Sequence, residues 1–260
     1  MINLAKFSEI NTHAVALFRR NHLYRFEGMQ LGLFWHVFMP CLPIVLYNIL
    51  NVLGVFHALE GSIPRSITIS IGIMIYFAFS ESLVGCNNCL EINKNYISKT
   101  GLGFSACYLS VVYAVVMNMA IRYTVIFLLL LFYSKYLTVY FIWGLAICLL
   151  SVLFGTVCGV IFSVFSLFYK DISNLVQTLS FYLLFASGVF GTMDDSSTLG
   201  SIVSHLPSYI YVVNGRNLIL GLGEVDASSI LFLAAISLLL GGAAFTMIRN
   251  AKSLMLNYIK

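Results

Sequence analysis

Charge is what this sequence has least of. Of its 260 residues only 9% are Asp, Glu, Lys or Arg and 60% are apolar, with a mean hydropathy of +0.94. Soluble domains carry roughly 25% charged residues, so the composition excludes a soluble globular protein and leaves a polytopic membrane protein. Phosphate-binding sequence is missing as well. No glycine is followed by lysine, so the G-x-x-x-x-G-K-[ST] loop that cradles nucleotide phosphates is absent. H-E-x-x-H and G-x-S-x-G are absent too. If this protein uses ATP, another chain must bind it. No secretory signal is expected: about thirty mixed residues precede the first apolar run, and no short apolar region leads to a small-residue cleavage site. The six cysteines, Cys41, Cys86, Cys89, Cys107, Cys148 and Cys158, lie in or beside apolar runs. That placement suits reduced, buried thiols rather than a disulfide framework.

What is present is a basic stretch running into apolar spans. Over residues 4–25, Leu4, Phe7, Ile10, Ala14, Leu17 and Phe18 recur at three- and four-residue spacing, one face of an amphipathic helix. Lys6, Glu9, Thr12, Arg19 and Arg20 fall mostly off that face, and Asn11 interrupts it. The pattern predicts a helix lying in the membrane interface over residues 1–28, with its arginines near lipid phosphates; a flexible tail is the other reading. A turn at Glu27-Gly28 then leads into the first span.

Apolar runs predict six spans, over residues 31–56, 65–85, 101–132, 137–168, 174–190 and 227–248. About 20 residues suffice to cross a bilayer, so the longer runs leave room for tilt. Pro40 and Pro43 each remove a backbone donor from the first span, and a kink is expected there. Between the second and third spans lies the polar stretch NNCLEINKNYISKT, residues 87–100, and a weakly apolar segment fills residues 191–226. With the N-terminus inside, ten Lys and Arg fall on the inner side against three (Arg65, Lys135, Arg216) on the outer. The excess of inner positive charge places both termini in the cytoplasm.

Chemistry-bearing clusters are few. Cys86-x-x-Cys89 has no second pair or nearby histidine to complete a tetrahedral metal site, so buried thiols are the plainer reading. Asp194-Asp195 could hold a cation or form a solvated turn. Two ionisable groups lie within spans, Glu81 and Arg122. A central arginine costs about 2.5–3.5 kcal/mol on insertion scales. It must therefore face protein or a polar cavity, touching either an anionic substrate in transit or a partner in the bundle. Ser151, Gly155, Gly159 and Ser163 recur every fourth residue, a small-residue stripe that lets another helix approach closely, in this chain or a second one. The chain holds 21 Phe and 15 Tyr. Phe181, Tyr182 and Phe185 could line a path and stack on sugar rings, or simply pack.

Four motifs in order carry a resemblance. A basic interfacial segment holding Arg19, Arg20 and Arg25 runs into Leu31-Gly32, Trp35 and Pro40. FSESL, residues 79–83, closes the second span and is followed by EINKNYISKT. LFYKDISNLVQ spans residues 167–177, and LPSYIYVVNGRNLILG, residues 206–221, places Arg216. Together they resemble the ABC-2 type permeases of bacterial polysaccharide exporters, which move capsule, O-antigen or teichoic acid. Two departures stand out: Lys99 is followed by Thr-Gly-Leu-Gly where the family usually has proline, and Leu206-Pro207-Ser208 replaces its common Asn-Pro.

The resemblance implies an all-α membrane protein of a single ABC-2 domain, residues 1–260, with six transmembrane helices. It further implies an N-terminal interfacial helix, a cytoplasmic coupling helix built on Glu91, Asn93, Lys94, Asn95 and Lys99, and re-entrant outer helices over 191–226. The expected function is a permease subunit in the bacterial inner membrane that passes a lipid-linked, in one version acidic, polysaccharide outward without covalent chemistry. Implied partners are a second copy, two ATP-binding cassette subunits carrying ATP and Mg, membrane lipids and the glycan; periplasmic or outer-membrane export proteins stay open, and no nucleic acid is expected. Spans one and five would line the path, with Arg122, Phe181, Tyr182, Phe185 and Arg216 as candidate contacts. The alternatives are an ABC-2 permease for a drug or lipid, a membrane-embedded glycan polymerase or transferase, and a structural or assembly protein.

Overall fold

A computed structural model describes residues 4–27, 29–55, 64–100, 103–132, 139–191, 198–222 and 225–259. Within them every regular element is a helix: α1 (Leu4–Asn21), α2 (Gly32–Val52), α3 (Arg65–Ile92), α4 (Lys94–Thr100) and α5 (Phe104–Phe132), then α6 (Phe141–Phe168), α7 (Lys170–Ala186), α8 (Thr198–Ser204), α9 (Pro207–Leu220) and α10 (Ala227–Ile259). Five of these, α2, α3, α5, α6 and α10, are long and apolar enough to cross a membrane. The chain is a helical, multi-pass membrane protein.

Helix boundaries depart from the apolar runs where polar residues continue a helix. The second span extends to Ile92, seven residues past the apolar stretch, and breaks only at Asn93. The last helix continues to Ile259 rather than 248. The helix runs through Pro40 and Pro43 in α2. The predicted fifth span is the 17-residue α7, short of a full crossing by length. Its neighbours show its reach: Lys170 at its start lies 3.6 Å from Glu91 at the end of α3. Just past its last turn, the Phe190 carbonyl accepts a 2.9 Å bond from Arg65 at the start of α3. With that turn, α7 runs the height of the bundle.

α3 is the central helix, with 72% of its apolar window buried against 17% for α2 and α10. The small-residue stripe explains its place. A Cβ on Gly155 would stand 2.5 Å from the Phe79 carbonyl, and one on Gly159 2.4 Å from that of Leu83. The stripe of α6 therefore packs against α3 of the same chain. α9 then inserts beside this pair. Its Tyr211, Val212 and Ile219 are fully buried, and a Cβ on Gly215 would meet Ile75 at 2.6 Å and Ile147 at 3.2 Å. Ile75 lies ten residues inside α3, about 15 Å from its end, so α9 reaches well into the bundle.

The apolar interior forms two layers along the bundle. One contains Ile71, Ile75, Ile126, Ile147, Tyr211 and Leu233. The other joins Ala14 and Leu17 of α1 to Leu90, Ile97, Cys107, Val164 and Ala244. The amphipathic face predicted for α1 is thus covered by protein at Ala14 and Leu17, both at most 1% exposed. Two of the three cations that the charge pattern assigns to the outer side also have structural partners. Arg216 Nη1 donates to the Gly188 carbonyl at 3.0 Å, beside the Arg65 contact to Phe190, so both complement the carbonyl-rich end of α7. Gly188 takes φ +73° with the Tyr209 ring 2.9 Å from where a Cβ would stand, which suits only glycine. α10 starts on Asp226, whose carboxylate accepts from the Ser228 and Ser229 hydroxyls and backbone amides. These bonds hold its carboxyl down at about 2, and the arrangement is a strong N-cap.

Candidate functional site

A cavity of about 930 Å³ opens between the end of α1, the following turn Leu23–Phe26, α3, α5 and α7. At its α1 end stand Asn21, His22, Arg25, Ile92 and Asn93. Along its length stand Tyr47, Tyr76, Phe77, Ser80, Gln177, Thr178, Phe181 and Tyr182.

α7 supplies one wall through helical spacing. Gln177, Thr178, Phe181 and Tyr182 follow at i, i+1, i+4 and i+5, which places them on one helix face; all four are exposed. Ser180, which also lines the cavity, is buried between them, with its hydroxyl 2.6 Å from Ser80 Oγ and its carbonyl accepting from Tyr76. That anchoring fixes the rotation of α7 and turns the amide, hydroxyl and rings outward. The rings continue as a file: Tyr182–Phe181 at 5.7 Å, Phe181–Phe185 at 6.1 Å, Phe185–Phe190 at 5.6 Å and Phe190–Tyr47 at 5.1 Å between centroids. Phe185 belongs to this file without lining the cavity itself.

The charged groups form a chain of contacts that runs from the cavity wall at His22, Asn118 and Glu81 to Arg122 behind it. Arg122, 1% exposed, is ion-paired with Glu81, donates from Nε to the Pro40 carbonyl at 2.7 Å and lies 5.3 Å over the Phe77 ring. Asn118 Nδ2 donates to the second Glu81 oxygen at 3.0 Å. Its amide oxygen therefore faces His22 Nε2, 3.2 Å away, which assigns the proton of neutral His22 to Nε2. Burial pushes the His22 imidazolium down from the ordinary value. The bond to Asn118 opposes this, His36 and Arg25 reinforce it, and Glu81 opposes it. His36 donates to the Leu23 carbonyl at 2.9 Å. A smaller space of about 180 Å³ lies among His22, Arg25, Trp35, His36, Pro40 and Glu81.

No family model and no curated protein matches this chain.

Of the candidates that the sequence pattern singles out, Phe181 and Tyr182 reach the cavity, Glu81 and Arg25 border it, and Asn93 closes its α1 end. Arg122 stands behind Glu81, and Arg216 is buried at the far end of α7. The polar corner is divided differently from a single helix. Glu91 lies in the last turn of α3, Asn93 is the break, and Lys94, Asn95 and Lys99 lie on the seven-residue α4. Arg20, expected among lipid phosphates, donates to Asn93 and stacks on Tyr96, and both Arg19 and Arg20 are exposed. Leu31 is exposed just before Gly32 opens α2. Cys86 and Cys89 are both buried. Asp194, Asp195 and Gly28 lie outside the described residues.

Four residues at the cavity, His22, Asn118, Gln177 and Thr178, do not stand out in the sequence. For Asn118 a signal existed: an amide inside an apolar span, four residues before Arg122 and hence on the same helix face.

Proposed function

We propose that the chain is the membrane-spanning permease subunit of an ATP-driven exporter that passes a cell-surface polysaccharide across the bacterial inner membrane. The observation that carries this reading is the wall built by α7. It combines an amide, a hydroxyl and aromatic rings in edge-to-face contact beside a cavity of about 930 Å³. Sugars present hydroxyls at their edges and C–H faces that sit against aromatic rings, so this wall matches both surfaces of a glycan. It also carries no charge of its own. Of the charges that line the cavity, Glu81 is matched by Arg122 and Arg25 stands at the α1 end, so along the α7 wall a polymer could slide without stalling at a strong ionic contact.

The reading extends the ABC-2 resemblance. Two copies would face each other across the ring file of α7 and the exposed side of α2. Two ATPase subunits would act on α4, and α7 would serve as the fifth of six crossings. The glycan would be lipid-linked, with α9 near its exit.

The test is deletion of the chain in its own host, followed by localisation of surface glycan. Loss of surface glycan with accumulation of polymer inside the cell, restored by re-expression, supports export. Unchanged surface glycan overturns it, and loss of polymer in both places points instead to a glycan-synthesising enzyme.

A further inference from the structure

We infer that Asn93 is a positioning residue that fastens the last turn of α1 to the corner between α3 and α4, and so sets the width of the cavity at that end. Its role in export rests on the function proposed above; the clasp itself does not. Asn93 is 2% exposed, and each of its polar groups is engaged. Its side-chain oxygen accepts from Arg20 Nη2 at 2.5 Å and from Asn21 Nδ2 at 3.0 Å. Its side-chain nitrogen donates to the Cys89 carbonyl at 2.8 Å. Its backbone amide ends α3 on that same carbonyl, and its backbone carbonyl receives the amides of Tyr96 and Ile97, the first turn of α4. One residue therefore closes one helix, opens the next and holds a third.

The clasp is polar, and its α1 partners are exposed. The apolar contacts of α1 lie earlier, at Ala14 and Leu17. Release of Asn93 would loosen the final turn, which brings Asn21 to the cavity, while the following segment with His22 and Arg25 keeps its His22–Asn118 and His36–Leu23 contacts. Arg20 also lies 4.9 Å over the Tyr96 ring of α4, so a displacement of α4 is passed to this turn through two contacts at once. The cavity end thereby becomes sensitive to whatever moves α4.

A native thiol reports on the clasp. Cys89 borders the cavity beneath Asn93 and is 1% exposed, whereas Cys148 is 0% exposed in the other layer. The purified full chain in liposomes is treated with N-ethylmaleimide, and labelling of each cysteine is followed by peptide mass spectrometry. Asn93→Ala, and separately the Arg20→Ala/Asn21→Ala double variant, should raise Cys89 labelling about tenfold, the factor that loss of one charge-assisted hydrogen bond implies. Arg20→Lys leaves Asn93 intact, keeps a cationic donor for its side-chain oxygen and should label like the native protein. The inference is overturned if Cys89 labelling stays unchanged in both disrupted variants, if Cys148 rises in parallel, or if Arg20→Lys behaves like the Arg20→Ala/Asn21→Ala double variant. Because no glycan or ATPase enters the assay, its failure is separable from failure of the export reading.

Discussion

An arginine at the depth of Arg122 has to be matched, and Glu81 and the Pro40 carbonyl match it. Removing one partner of a fully buried pair costs about 3–5 kcal/mol. The Glu81 side chain is 26% exposed, so the cost of Arg122→Gln should be nearer about 2–3 kcal/mol. The variant should therefore melt earlier in detergent, and the Arg122→Gln/Glu81→Gln pair should recover part of the loss. A strictly additive thermal-shift cycle would show that the two charges do not interact. His22 adds a pH term. Its folded-state pKa lies below the ordinary 6.5, so the folded chain binds fewer protons than the unfolded one in that window. The stability it supplies is complete above about pH 6.5 and falls as pH drops toward the lowered value. Thermal stability should decline on acidification below 6.5, and His22→Gln should flatten that decline. The two charges inside the spans are visible in the sequence, but their pairing is not: Glu81 and Arg122 are 41 positions apart, and no local periodicity joins them.

Spacing along single helices is the more legible part. The stripe from Ser151 to Ser163 announces close approach, and α3 supplies the partner. A bulky residue at Gly159 would have to displace the Leu83 carbonyl, so Gly159→Leu should cost about 1–3 kcal/mol, read as loss of the folded fraction after detergent extraction. Gly241 is a contrasting control, because a Cβ there meets Val157 only at 3.8 Å. On α7, Phe181 and Tyr182 are 59% and 63% exposed. Replacing both with Ala should leave melting within about 0.5 kcal/mol while lowering surface glycan severalfold, and normal glycan would remove the ring wall from the path. The resemblance implies re-entrant helices over 191–226, but the depth of α9 is the feature least legible in the segment's own residues. Its helix mixes Ser208, Asn214, Gly215, Arg216 and Asn217 with apolar residues, and its burial arises because α3 and α6 leave space beside Gly144 and Ile75. That space belongs to the bundle and leaves no trace in the segment's own pattern.

At the scale of the whole molecule, α1 shares its apolar layer with Ala244, Met247 and Ile248 of α10. The first helix and the later part of the last helix therefore lie at the same end of the bundle. Reporter fusions at the two termini should give the same side, the cytoplasm; opposite sides would mean that α7 fails to cross. The inner excess of Lys and Arg points the same way, although Arg65 and Arg216 prove to be tied to carbonyls around α7. The depth of α9 also has a consequence for how the protein is made. α3 and α6 leave the ribosome before α9, and their glycine contact is complete without it. α9, of low hydropathy and short length, lacks the signal to enter the bilayer alone. It is drawn in by a groove its predecessors have already built. A chain interrupted before Pro207 would leave Ile75, Gly144 and Ile147 without the cover that Gly215 and Ile219 provide.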